Sequence, residues 1–148
     1  MNKKTISGLV ILATFLCLVL LSEYKQVGVN DVLNRDSACR LQSNQCEITS
    51  KYGAISINFK QMPISEEMLS IVFSLPSGYQ INSAHIEGVN MYMGRTPVMF
   101  EQGKKINEGT TFLGSCNIEE MQWQLQFTIK KGEEFVSSPF SVFFITRN

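Results

Sequence analysis

Residues 121–129 place Met121, Trp123, Leu125, Phe127 and Ile129 at every second position, with Gln122, Gln124, Gln126 and Thr128 between them. Successive side chains of a strand point to opposite faces of a sheet, so this alternation specifies a strand with one apolar and one polar face. The period recurs along the chain. Residues 54–59 set Ile55, Ile57 and Phe59 against Ser56 and Asn58, and residues 69–75 set Leu69, Ile71, Phe73 and Leu75 against Ser70 and Ser74. Weaker strands are expected at 79–87, 89–93, 98–101 and 110–115. Pro76-Ser77-Gly78, the Gly- and Lys-containing stretch 102–109, and Lys130-Lys131-Gly132-Glu133 supply turns. Residues 140–146 are apolar on both faces, which predicts a central strand, and Pro139 can open it without losing a ladder bond. About eight short strands at regular spacing predict an all-β, immunoglobulin-like β-sandwich over residues 44–148.

The N-terminus predicts where this domain works. Lys3 and Lys4 precede an uncharged apolar run over residues 6–21. A basic start before an apolar core is the pattern of a secretory signal, and the two lysines orient it with the N-terminus inside. The run is short for a span, and flanking Ser, Thr and Tyr24 extend it at the interface. No small-residue pair of the A-x-A kind follows it, so residues 1–22 are expected to stay attached as a transmembrane signal anchor. A cleaved signal, or a lipid-modified Cys17, are the alternatives; bulky Phe15 and Leu16 before Cys17 disfavour the second. Residues 23–43 read as a juxtamembrane linker. The expected location is the bacterial inner membrane, single-pass, with the domain in the periplasm.

Composition narrows the function classes. Charged residues make up 18% and hydrophobic residues 44%, with zero formal net charge, so disorder over most of the chain is excluded. No basic block exists beyond the N-terminus, which leaves no electrostatic footprint for nucleic acid. A single His and no Ser/His/Asp constellation argue against an enzyme. The separation of Cys39 and Cys46 does not match the Cys-x-x-Cys of thiol oxidoreductases.

Cys39, Cys46 and Cys116 fall in the exported part. Six polar-rich residues separate the first two and can turn back, so a Cys39–Cys46 disulfide is the favoured pairing. Cys116 is then a free thiol, a metal ligand or a small buried hydrophobe; pairing with Cys39 or Cys46 is the other option.

The densest group of soft donors is His85, Met91 and Met93, with Cys116 and Met121 further on. On a strand, Met91 and Met93 would point to one face. Thioethers and a thiolate favour Cu(I), and an imidazole adds to the set. The competing reading makes Met91, Met93 and Met121 core residues and His85 a surface or hydrogen-bonded histidine. Arg95 before Thr96-Pro97 suits a turn or an ion pair. The pairs Glu66-Glu67, Glu119-Glu120 and Glu133-Glu134 read as solvated turns, since neighbours on a strand point apart.

The run Gly88-Val89-Asn90-Met91-Tyr92-Met93-Gly94, then Thr110-Thr111-Phe112-Leu113-Gly114, then Met121-Gln122-Trp123 resembles the exported domain of FixH-like and YtkA-like proteins. Cys39 and Cys46, Pro63-Ile64, Met91/Met93/Gly94 and Cys116 before Met121 also resemble small membrane-anchored proteobacterial proteins with a Met-x-Met-Gly strand. The resemblance spans roughly residues 39–146. It implies a membrane-anchored or secreted β-sandwich tied to metal handling and cytochrome oxidase assembly, with a Sco-type copper protein or an oxidase subunit as partner. Copper, as Cu(I), is the implied cofactor, with Met91, Met93, Cys116, His85 and Met121 as candidate ligands. His85 stands six residues before the Met pair, unlike histidine-rich copper chaperones of related fold. The alternative expectation is a non-metal interaction module of a membrane complex.

Overall fold

A computed structural model describes residues 37–100, 107–115 and 117–147. The expected anchor, most of the linker, and Cys116 lie outside the described residues. The described part is all-β, with no helix.

Among the described residues, eleven strands form two sheets. They are β1 (Ala38–Arg40), β2 (Gln45–Ser50), β3 (Gly53–Phe59), β4 (Met68–Ser74), β5 (Gln80–Gly88), β6 (Arg95–Pro97), β7 (Met99–Phe100), β8 (Glu108–Phe112), β9 (Glu120–Lys131), β10 (Glu134–Phe135) and β11 (Phe140–Arg147). The first sheet runs β1-β11-β9-β5-β6, with β10 also on β9; the second runs β2-β3-β4-β8-β7. Among the described residues, β1–β11 is the parallel pair and the remaining ladders are antiparallel.

Alternation puts the apolar residues where the two sheets meet. Ile55, Ile57, Phe59, Leu69, Ile71 and Phe73 of the second sheet are buried, as are Met121, Trp123, Leu125, Phe127 and Ile129 of the first. Aromatic rings bridge the layers edge to face: Phe59 to Phe144 at 5.1 Å between centroids, and Phe73 to Phe127 at 5.1 Å. Each such fully buried side chain contributes about 1.5–3 kcal/mol relative to exposure. β11 lies between β9 and β1, as its two-faced apolar character predicts.

The Cys39–Cys46 disulfide is present, with Cα atoms 6.1 Å apart. Cys39 lies on β1 and Cys46 on β2, so the bond joins the two sheets. Ser43 and Asn44 turn the chain between them with φ of 47° and 70°.

Three readings need correction. β1 falls inside the segment read as linker: Ala38–Arg40 pairs with Ser141–Phe143 of β11. Of the turn or ion pair expected for Arg95, the ion pair is there, with Arg95 Nε 2.9 Å from Glu87 Oε2, and Arg95–Pro97 is not a turn but strand β6 on the edge of β5. After β6 the chain changes sheets: Val98 donates to the Ala84 carbonyl at 2.9 Å, and Met99 pairs with Thr110 of β8. Third, residues 89–93 are not a strand but a bend leaving the end of β5.

Candidate functional site

The bend is made by one asparagine. At the end of β5, the Val89 amide donates to the Gln122 carbonyl at 2.8 Å. The Asn90 side chain then takes over from the backbone. Its Nδ2 donates to the Glu120 carbonyl at 2.9 Å, and its Oδ1 accepts from the Gln122 amide at 3.0 Å. An Asn amide that fills ladder positions lets the main chain peel away without leaving β9 unpaired. Gly94, at φ 81°, returns the chain into β6. A left-handed residue is needed there, and glycine supplies it without strain.

Met91, Tyr92 and Met93 ride on this bend. Met91 is 42% exposed, Met93 38% and Tyr92 77%. Neither methionine of the pair is therefore a core residue. Met121 is buried at 1% on the inner face of β9. Two glycines seat the group. A Cβ on Gly88 would run into the Met91 carbonyl oxygen and Met121 Cε, and a Cβ on Gly114 would come within 3.1 Å of Met93 Cε. The absent side chains thus admit Met91 and Met121 against Gly88, and Met93 against Gly114.

His85 stands elsewhere. Its neighbours Ala84 and Ile86 face the core, and its cross-strand partner is Gln126, so His85 lies on the outer face of the first sheet. Met121 lies on the inner face of the same sheet. The structure brings Met91, Met93 and Met121 to one end and does not bring His85 to them. His85 Nε2 is buried without a hydrogen-bond partner. Beside it, Glu87 accepts from Gln126 Nε2 at 3.2 Å and from Arg95 Nε at 2.9 Å. The Glu87 hydrogen bond and, after it, its charge push the Arg95 pKa above the ordinary guanidinium value.

Cys116 is outside the described residues, but its neighbours Ser115 and Asn117 line an open cleft of about 680 Å³ at the end of the sandwich. Ser65, Glu66 and Arg147 also line it. A polar chain connects the cleft to the core: Ser65 Oγ lies 3.2 Å from Thr146 Oγ1, which accepts from Trp123 Nε1 at 3.0 Å. Arg147 Nε pairs with Glu120 at 3.2 Å.

Among the described residues, no group of three or more His, Cys, Asp or Glu is placed to hold a metal ion. The donors that share this end are thioethers, whose softness suits Cu(I) rather than Mg²⁺ or Ca²⁺. The Asn90 clamp escaped the sequence reading, although an Asn two residues after Gly88 is a turn signal. No family model, curated protein or solved structure matches this chain.

Proposed function

We propose that the chain is a membrane-anchored, periplasmic copper-binding accessory protein, a chaperone for respiratory oxidase assembly. Its domain is an immunoglobulin-like sandwich held near the inner membrane by residues 1–22. Its metal is Cu(I), taken by the thioethers of Met91 and Met93, with Cys116 or Met121 completing the set. The partner is a Sco-type copper protein or an oxidase subunit.

One observation carries the reading. Two methionines that alternate like core residues are instead carried out to solvent by the Asn90 clamp, at 42% and 38% exposure. Methionines with this much exposed surface on a clamped bend suit contact with a soft cation and with the surface that delivers or receives it. His85 is left out of the proposed set, since its outer-face position on β5 points away from inward-facing Met121.

The same exposure supports the second reading, a non-metal docking module. Val89, Met91, Tyr92 and Met93 together form an exposed apolar tip, and such tips mark contact sites.

Copper competition separates the two. Full-length protein in detergent is titrated with Cu(I) against a competing chelator, beside Met91→Leu/Met93→Leu and Cys116→Ser. Leucine keeps size and apolarity while removing the sulfur. One copper per chain, lost in the double variant, is the expected result. Equal competition by wild type and double variant rejects the metal site and leaves the docking module.

A further inference from the structure

Among the described residues, the two ends of the sandwich differ in charge. At the end of the methionine bend, the described residues include Glu66, Glu67, Glu87, Glu119 and Glu120, with Arg95 and Arg147 already paired to Glu87 and Glu120. At the other end stand Lys51, Lys130 and Lys131, beside Glu133 and Glu134. These lysines rest on rings. Lys51 Nζ is 5.1 Å from the Tyr52 centroid, Tyr52 is 5.9 Å from Tyr79, and Lys131 Nζ is 5.5 Å from Tyr79. Lys130 Nζ is 5.9 Å from the ring of Phe135, itself 57% exposed. Ser37, the first described residue, lies at this same end. Ser37 accepts from the Ser141 amide at 2.8 Å, next to Phe140, whose ring lies 6.5 Å from Tyr52.

We propose that this lysine–aromatic end rests on the headgroups of an anionic bilayer, with the methionine bend at the end turned away from the membrane. The inference rests on reading residues 6–21 as a membrane anchor. Fifteen residues, 22–36, separate that run from Ser37, which allows a reach of at most about 50 Å at full extension. Tethering at such range gives a high effective concentration, so a weak surface attraction is enough to orient the domain. Lysines beside aromatic rings suit the headgroup layer, where ammonium groups meet phosphate and rings lie at the interface. The glutamate-rich end is repelled by the same surface. Charge therefore acts on both ends in one direction, although Glu133 and Glu134 weaken the attraction.

The full chain is reconstituted into vesicles of phosphatidylcholine, with or without phosphatidylglycerol. Lysines are acylated from the aqueous side, and the sites are read by mass spectrometry. Lys60, paired with Glu108 on the body of the sandwich, is the internal reference. On anionic vesicles, acylation of Lys51 and Lys131 slows roughly fivefold relative to Lys60, the effect of about one charge contact per lysine. High salt removes the slowing. In Lys51→Glu/Lys131→Glu, hydrogen exchange in the 77–80 and 131–135 turns becomes the same on both lipids, and Trp123 fluorescence confirms the fold. If the chain floats with the vesicles but Lys51 and Lys131 react equally on both lipids, this proposal is overturned and the anchor stands. If the chain does not float with the vesicles, anchor and proposal both fall.

Discussion

Cys39 and Cys46 are seven residues apart in sequence and lie on different sheets, so a short covalent loop fastens the first strand of one layer to the first strand of the other. β1 has three residues and, among the described residues, one strand partner, β11. Ordering each backbone residue costs about 1–2 kcal/mol, which so few ladder bonds barely offset. The disulfide supplies the rest. Cys39→Ser/Cys46→Ser is expected to lose about 2–3 kcal/mol for so short a loop, read by urea denaturation. Hydrogen exchange at Leu41 and Ser141, whose amides bond across β1 and β11, should rise before the rest of the domain opens. Unchanged protection there would mean that pairing alone retains β1.

Gly88 and Gly114 both lie under methionines, yet the two sites differ in what must yield. At Gly88 the obstacles are a backbone carbonyl and the methyl of fully buried Met121. Gly88→Ala is therefore expected to cost about 1–3 kcal/mol. At Gly114 the obstacle is the free end of partly exposed Met93, 3.1 Å away. Gly114→Ala is expected to stay within about 0.5 kcal/mol while shifting the Met93 methyl resonance. Equal losses at both sites would contradict this packing.

The methionines divide the same way in stability. Met121→Ala empties a buried site and is expected to cost about 2–5 kcal/mol. Met91→Leu and Met93→Leu, on exposed side chains, should each change stability by less than about 0.5 kcal/mol. Thermal denaturation of the three variants decides it. A large loss from either leucine variant would return that residue to the core.

Asn90→Ala removes both bonds to β9 and leaves the Gln122 amide and the Glu120 carbonyl to water. A loss of about 1–2 kcal/mol is expected from the two hydrogen bonds. Exchange at Val89 and Gln122 should quicken while that in β4 and β8 stays slow. Uniform acceleration throughout the domain would show that the clamp supports the whole fold rather than the bend.

The long strands were legible because burial on one face writes itself as alternation: β3, β4 and β9 lie close to where Ile55, Leu69 and Trp123 indicate, while the run of β11, apolar on both faces, marked a central strand. β1 was hidden because its pairing is set by Ser141–Phe143, about a hundred residues later, and three residues show no period. Val89, Met91 and Met93 alternate with Asn90 and Tyr92 as a strand would. The pattern misleads because one side chain, Asn90, substitutes for the ladder. His85 looked adjacent to the methionines, but its face of the sheet follows from its register with Gln126. Those relationships are properties of pairing, which a local pattern does not record.

The parallel neighbours β1 and β11 also set an order of events. Ala38 meets Ser141 across nearly the full length of the domain, a high-contact-order pairing that forms slowly. The Cys39–Cys46 loop can close as soon as both cysteines and an oxidant are present. β1 is thus stapled to β2 early and must then wait for the eight residues of β11. Until β11 arrives, the first sheet is open along β9. A chain halted before Phe140 would present that edge to any strand nearby, so β11 acts as the latch of the whole fold.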